Sequence, residues 1–533
     1  MKQTADVIYT NGSIWTGNPA APKAEAIAVG DEEILSIGTE AHVMSTRGPE
    51  TKLVDMGGHF VVPGFIDDHT HFISGGNQLA SVDLRDAATR EEFILRIETY
   101  AANLPEGRWI TGGDWDHERW GGELPHRDWI DPVTPNNPVL ISRLDGHMAL
   151  ANSKALDLAE IDELTQNPEG GTIVRDANSR RPTGVLKDEA MSPVYRIIPA
   201  DTEAELDEAL KRGMEHAVSQ GVTQFYDMGG WADLATYQRA ARRGELRARV
   251  YSFVPISTWS RMKQYVIENG RGDQWHRWGG LKGFVDGSLG STTAWFYEPY
   301  ADAPETSGLM VTDTSDLRSS IELGDAAGLH IGVHAIGDRA NDWLLEVYAA
   351  TAAKHGPRDR RFRIEHAQHL SAKAIPRFSQ LGVIPAMQPY HCIDDGRWAE
   401  KRIGPERIKT TYAFRSLLDA GVTLSFGSDW TVAPLSPLEG IYAAVTRRTL
   451  DSMNPDGWVP EEKISVEEAL RCYTVNNAYA GFHEHRTGTL ESGKLADFVV
   501  LSQDILAIDP VEIPHIQVLM TIVGGAIQYQ ASE

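Results

Sequence analysis

Cysteine is almost missing from these 533 residues. Cys392 and Cys472 are the only two, so a disulfide framework and a cysteine-rich zinc site are both excluded. No apolar run is long enough to span a bilayer, and the opening MKQTADVIYTNGS has no apolar signal core, which makes the cytoplasm the expected location. Basic residues are in short supply: 50 Lys and Arg stand against 75 Asp and Glu, a net charge of −25. Phosphate backbones and anionic membranes would be repelled, so the expected partner is a small-molecule substrate, not nucleic acid or a membrane, with a homodimer left open as an assembly. Low-complexity tracts and internal repeats are absent. So are the GxSxG nucleophile elbow, the HExxH helix and the phosphate-binding glycine–lysine loop. With 41% hydrophobic and 23% charged residues, the chain has the composition of a globular protein and the length of two to four domains.

The pattern of the chain changes twice. DVIYTNGSIWTG, AIAVGDEEILSIG and KLVDMGGHFVVPG, near the start, are β-rich with NG and GD turns. GTLESGKLADFVVLS and VLMTIVGGAIQY, near the end, have the same character, and neither set can bury a face alone. They are expected to pack as one discontinuous β-sandwich built from residues 1–60 and 485–533. Between them, apolar strand runs alternate with amphipathic helical stretches, which signals parallel βαβ construction. Eight strand runs can be counted: VVPGFIDDH, GVTQFYDMG, RARVYSFVP, LKGFVDG, LHIGVHA, RFRIEHA, GVIPAMQ and VTLSFGSD. Eight strand–helix units close into a (β/α)8 TIM barrel, here over 61–484. Residues 75–205, roughly, fit no such unit and are read as an insertion after the first strand, lying over the barrel mouth.

In such a barrel the chemistry sits at the C-terminal ends of the strands. Strand one ends in His69 and His71, which share a face because side chains alternate with period two. Strand four carries Lys282, with Phe284 and Asp286 on the same parity. Strand five ends in His334, strand six in His366 and strand eight in Asp429. Each residue has an ordinary reading by itself: a hydrogen-bonded strand-end histidine, a helix cap at Asp429, a turn residue at Asp286. Together, four histidines, a lysine and an aspartate at one end of one barrel are hard to explain as packing.

This set of HxH, Lys, His, His and Asp on strands one, four, five, six and eight resembles the metal-dependent amidohydrolase superfamily. KGFVDGSLGSTTAWFYEPY, GVHAIGDRAND and RLDGHMALANSKAL look like its YtcJ-like branch, which includes N-substituted formamide deformylases. The resemblance implies two divalent ions, zinc or else manganese or iron, one held by His69 and His71 and the other by His334 and His366. It also implies that Lys282 is carbamylated and bridges the ions; Lys282 left unmodified and paired with Asp286 is the competing reading. A metal-bound hydroxide would attack a carbonyl carbon, with Asp429 binding one ion, taking the proton and handing it to the leaving nitrogen. The expected activity is hydrolysis of a C–N bond in an amide, N-substituted formamide or cyclic amide. The alternatives are a deaminase or esterase on the same site, or a non-catalytic relative that binds a small molecule. Trp115, His147, Asp286 and His391 are the candidate substrate contacts, with Asp116, His117 and Trp120 beside them. The tryptophans could equally form the insertion's own core.

Overall fold

The computed structural model describes residues 4–532 except 145, 147, 169 and 170. It divides into two compact units, Met1–Phe72 with Gly213–Glu533 and, separately, Ile73–Arg212. The inserted unit is thus a little longer than the sequence pattern suggests.

The first unit contains an eight-stranded parallel sheet whose strands neighbour one another in chain order. They are β1 (Phe65–Thr70), β2 (Val222–Asp227), β3 (Arg249–Pro255), β4 (His276–Phe284), β5 (His330–Ala335), β6 (Arg363–His366), β7 (Ile384–Met387) and β8 (Ser425–Phe426). Each overlaps one of the eight strand runs of the sequence, and the architecture is a TIM barrel. The helices Trp231–Arg243, Ala374–Leu381 and Phe414–Asp419 fall where amphipathic stretches predict them. Burial explains the near-continuous Val, Ile and Phe of these strands, since both faces of a parallel sheet are covered.

The run VVPGFIDDH is not one strand. Phe60–Pro63 belongs to another sheet, and the chain passes Gly64 before β1 begins. A Cβ at Gly64 would lie 2.1 Å from Thr223 Oγ1, so only glycine allows β1 to approach β2 here. Phe60–Pro63 pairs antiparallel with Phe498–Leu501, which places strands from both ends of the chain in one six-stranded sheet. A four-stranded sheet, with Ala5–Thr10 and Ala26–Gly30 at its centre, packs against it through Tyr9, Ile27, Val61, Phe498 and Ile522. Ile73–Arg212 forms its own six-stranded sheet over a core containing Phe93, Ile97, Ile130 and Trp115. No helix among the described residues is long and apolar enough to cross a membrane.

Because β8 has two residues, a regular ladder cannot close the barrel. Closure uses two other devices. At the C-terminal end, the Asp429 N–H donates to His69 O (2.8 Å), the His71 N–H donates to Trp430 O (2.6 Å), and Thr70 bridges Trp430 in parallel. Further in, the buried Asn477 side chain stands between the strands. Its Nδ2 donates to Ile66 O and to Phe426 O (2.7 Å), and its Oδ1 accepts the Phe426 N–H (3.1 Å). Asn477→Leu keeps the branching at Cγ but leaves these backbone groups unpaired in a dry place. The expected cost is about 3 kcal/mol or more, since three groups are orphaned and each costs about 1–3 kcal/mol. Chemical denaturation of the two proteins checks it; a loss below about 0.5 kcal/mol would mean that the amide does not hold the closure.

Candidate metal centre

The C-terminal ends of β1, β4, β5, β6 and β8 meet at one point. Ligand atoms of His69, His366 and Asp429 lie within 4.8 Å of one another, and all three residues are buried. Asp429 Oδ1 is 3.5 Å from His69 Nε2 and 3.4 Å from His71 Nε2. The His334 and His366 rings stack edge to face, with centroids 4.6 Å apart. Lys282 Nζ donates to His69 Nε2 at 3.1 Å. His391 lies on the rim, its Nε2 3.9 Å from Asp429 Oδ2.

Hydrogen bonds on the far side of each ring fix which nitrogen faces the cluster. His69 Nδ1–H donates to Glu365 Oε2 (2.6 Å), so Nε2 keeps its lone pair for the site. Glu365 can only accept, because its carboxylate is clamped by Arg363: Nε to Oε1 at 2.8 Å and Nη2 to Oε2 at 2.9 Å. Burial pushes the Glu365 carboxyl up, but the Arg363 guanidinium outweighs it and holds the group well below the usual range. His366 Nδ1–H donates to Gln388 Oε1 (2.7 Å), leaving Nε2 inward. His334 Nε2–H donates to Gly287 O (3.0 Å), so Nδ1 is the free nitrogen.

Burial keeps these rings neutral, pushing His69 down to about 4 and His334 to about 3. Asp429 is the opposite case. Burial opposes its ionisation, and its carboxyl is held well below its ordinary value only to the extent that His69, His71 and His366 beside it are protonated; with neutral rings the carboxylate lacks a counter-charge. Its Oδ1 is buried and accepts no hydrogen bond. An ionised oxygen without a donor, facing imidazole lone pairs, is costly unless a cation completes it. That is the donor set of a divalent metal ion.

Two approaches depend on backbone that leaves the regular strand conformation. His366 has φ 76° and Asp429 φ 60°. In a regular strand His366 would point away from the face that carries Glu365. The left-handed φ at His366 turns its ring back towards His69, with ring centroids 4.9 Å apart.

The remaining sequence candidates fall elsewhere. Lys282 is not paired with Asp286. The Asp286 carboxylate instead accepts the N–H groups of Trp295 (2.7 Å), Ile336 (2.9 Å) and Gly337 (2.9 Å), fastening the loop after β4 to the end of β5. Those bonds make it an anchor behind His334. Trp115 is fully buried in the core of the inserted unit, its indole N–H donating to Ile141 O (2.9 Å), so the packing reading of this tryptophan holds. Trp120 donates to Glu123 O (2.8 Å) within the same unit. His147 lies outside the described residues. Glu365, Arg363 and Gln388 were missed. The one signal was RFRIEH itself, where two charges share the parity of a strand buried on both faces.

Fold and centre together define a metal-dependent hydrolase. A model of the amidohydrolase family matches residues 52–529. The chain is 42% identical to Protein LONG AFTER FAR-RED 3 of Arabidopsis thaliana, over 98% of this chain and 92% of that protein. It is 30% identical to the N-substituted formamide deformylase of Arthrobacter pascens, over 99% of both chains. An uncharacterized metal-dependent hydrolase from Pyrococcus horikoshii OT3, 29% identical, superimposes with a TM-score of 0.80 over 95% of this chain and 99% of that one. This chain belongs to the amidohydrolase family.

Glu365→Gln removes the charge that fixes the His69 tautomer while keeping an acceptor. Metal affinity is expected to fall by about 10–100-fold, as when other outer partners of metal-binding histidines are changed. A chelator competition titration reads this, and unchanged affinity would show that His69 needs no anchor.

Acid should destabilise the metal-free chain early. The folded-state pKa of His69 is about 4 against an ordinary 6.5, and that of His369 about 3. At these rings the unfolded chain binds more protons between those values, so the stability they contribute is full above about pH 6.5 and is lost as pH falls towards about 4, while buried Asp67 and Asp286, each raised to about 7, offset part of that loss. Thermal midpoints at about pH 7 and about pH 5 check this; equal midpoints would mean that the rings accept protons without opening the fold.

Proposed function

We propose that the protein hydrolyses a C–N bond, with N-substituted formamides, other amides and cyclic amides as its substrate class. The carrying observation is the His69–His366–Asp429 cluster with its buried, unbonded Asp429 Oδ1. The full-length likeness to an N-substituted formamide deformylase supports the choice of bond. The cytoplasm as working compartment and a small molecule as partner follow from composition and belong to the same proposal.

His69 and His71 would hold one divalent ion and His334 and His366 another, with Asp429 on one of them; imidazole favours zinc, and manganese or iron would also fit. Ions bound there polarise a carbonyl oxygen and acidify a water. Asp429 takes the proton of the attacking water on a carboxylate oxygen and passes it to the leaving nitrogen, so that a neutral amine departs. Lys282, whose Nζ lies 3.1 Å from His69 Nε2, would supply an anionic oxygen ligand once carbamylated. Burial lowers its ammonium to about 8, so a neutral amine is accessible near neutrality. That amine adds CO₂ and releases a proton, leaving an anionic carbamate.

Three measurements on protein purified without chelator test the reading. Elemental analysis should find about two divalent ions per chain. A panel of formamides, amides, cyclic amides, aminopyrimidines and esters should show turnover on the first three classes; turnover on aminopyrimidines or esters alone would make it a deaminase or an esterase. Asp429→Asn should keep most of the metal while losing about 10²–10⁴-fold in kcat. Full activity in that variant would remove Asp429 from proton transfer.

A further inference from the structure

The opposite end of the barrel contains a basic cavity of about 310 Å³. It opens where β4 and β5 begin and where the chain enters β6, whereas the candidate metal ligands lie at the far ends of those strands. In TIM barrels this N-terminal end ordinarily serves stability. Four arginines line the cavity, Arg271, Arg277, Arg358 and Arg360, in a chain whose net charge is −25.

Their charge is poorly matched. Arg271 donates to Gly328 O (2.7 Å) and Arg277 Nη1 to Gly481 O (2.8 Å), and neither forms an ion pair among the described residues. Arg277 Nη2 is buried with no hydrogen bond at all. Arg358 and Arg360 both lean on the single carboxylate of Asp325, which also accepts from His355 Nδ1 (2.7 Å). Arg360 Nη2 is left without a partner. Asp359, the one acid in the cavity wall among the described residues, is engaged by Arg361 at 2.9 Å. His330 adds no charge: burial pushes it down to about 3, and its two nitrogens face Tyr251 OH (3.1 Å) and Arg361 O (2.9 Å). Arg271 and Arg358 are exposed, but the buried Arg277 Nη2 and Arg360 Nη2 lack partners, which is costly, and an oxyanion would relieve them, because the planar fork of a guanidinium matches phosphate and carboxylate. Phe482, 38% exposed, supplies an aromatic face in the same wall. The volume is at the small end of the range for ligand sites.

We propose that this cavity is a second binding site, for a small organic oxyanion with a phosphate or carboxylate head and an aromatic or apolar body. The head lies between Arg271 and Arg277, the nearby Glu484 being taken up by Arg361 (2.7 Å), and the body rests on Phe482. The site is separate from the metal centre: Arg277 and Lys282 are on the same strand, about 16 Å apart at 3.3 Å per residue.

Calorimetric titration of the metal-loaded chain with phenyl phosphate, benzoate and inorganic phosphate, in low-salt buffer free of phosphate, tests the proposal. Saturable 1:1 binding is expected for one or both aromatic anions, the tighter of them naming the head group, with inorganic phosphate weaker. Arg271→Gln, an exposed position that leaves the fold intact, and Arg277→Met should each weaken that binding by about tenfold or more. Metal content and amide turnover should be unchanged in both. Undiminished binding in a folded Arg271→Gln protein would place the anion at the metal centre or elsewhere and overturn the proposal. So would the absence of saturable binding by either aromatic anion.

Discussion

The Arg363–Glu365 ion pair is the interaction on which the candidate centre rests. Both side chains are fully buried in the barrel interior, two residues apart on β6. Moving either charge out of water costs several kcal/mol, and the pair survives because the contact is bidentate and each partner has further bonds. Arg363 Nη2 also donates to Asp68 O (2.8 Å), which ties β6 to β1 across the barrel. The remaining acceptor capacity of Glu365 is directed at His69. A buried neutral imidazole has two tautomers of similar energy, and an anion on one side selects between them. The ion pair thereby converts a strand-end histidine into a ligand with a defined lone pair.

Much of this was legible in the sequence. The eight strands could be counted because a strand buried on both faces is written almost entirely in apolar letters. The polar exceptions, His69, His334, His366 and Asp429, stood out at strand ends for the same reason. What the letters do not carry is the path of the backbone. VVPGFIDDH reads as one strand although the chain changes sheets at Gly64, since both halves are apolar. Asp286 has the parity of Lys282, yet loops from elsewhere deliver three N–H groups to it, and no local pattern encodes that. Trp115 stands in a loop-like, glycine-rich run and is nevertheless the centre of a small core. Glu365 was hidden by its surroundings: two residues after an arginine and next to a histidine, it looks like surface charge.

Charge balance around Lys282 connects the protonation of the site to its occupancy. With neutral imidazoles and Glu365 matched by Arg363, the cluster reduces to Asp429 and Lys282. An ammonium at Lys282 balances Asp429 and leaves no excess charge for a metal ion. A carbamate, as proposed above, would make both groups anionic, and the same pocket would then favour divalent cations. Burial, which lowers the lysine towards its neutral form, is what makes the second state reachable.

Closure of the barrel and construction of the centre are one event. Asp429 adopts a left-handed φ of 60° three residues after β8 ends, a conformation tolerated better by Asp than by most residues but still costly. Such a residue stays in place only if its surroundings over-determine it. Here its N–H donates to His69 O, and one residue on, Trp430 O accepts from His71. These two bonds are the seam between β8 and β1, and their four residues include three of the candidate ligands. Ser428 N–H adds a bond to Asp67 Oδ1 (2.9 Å), beside the same seam. A barrel that failed to close would therefore separate Asp429 from His69 and His71 in the same step, so the centre can exist only in the completed fold. Its rigidity comes from the seam, and the seam in turn is held from below by Asn477 between Ile66 and Phe426.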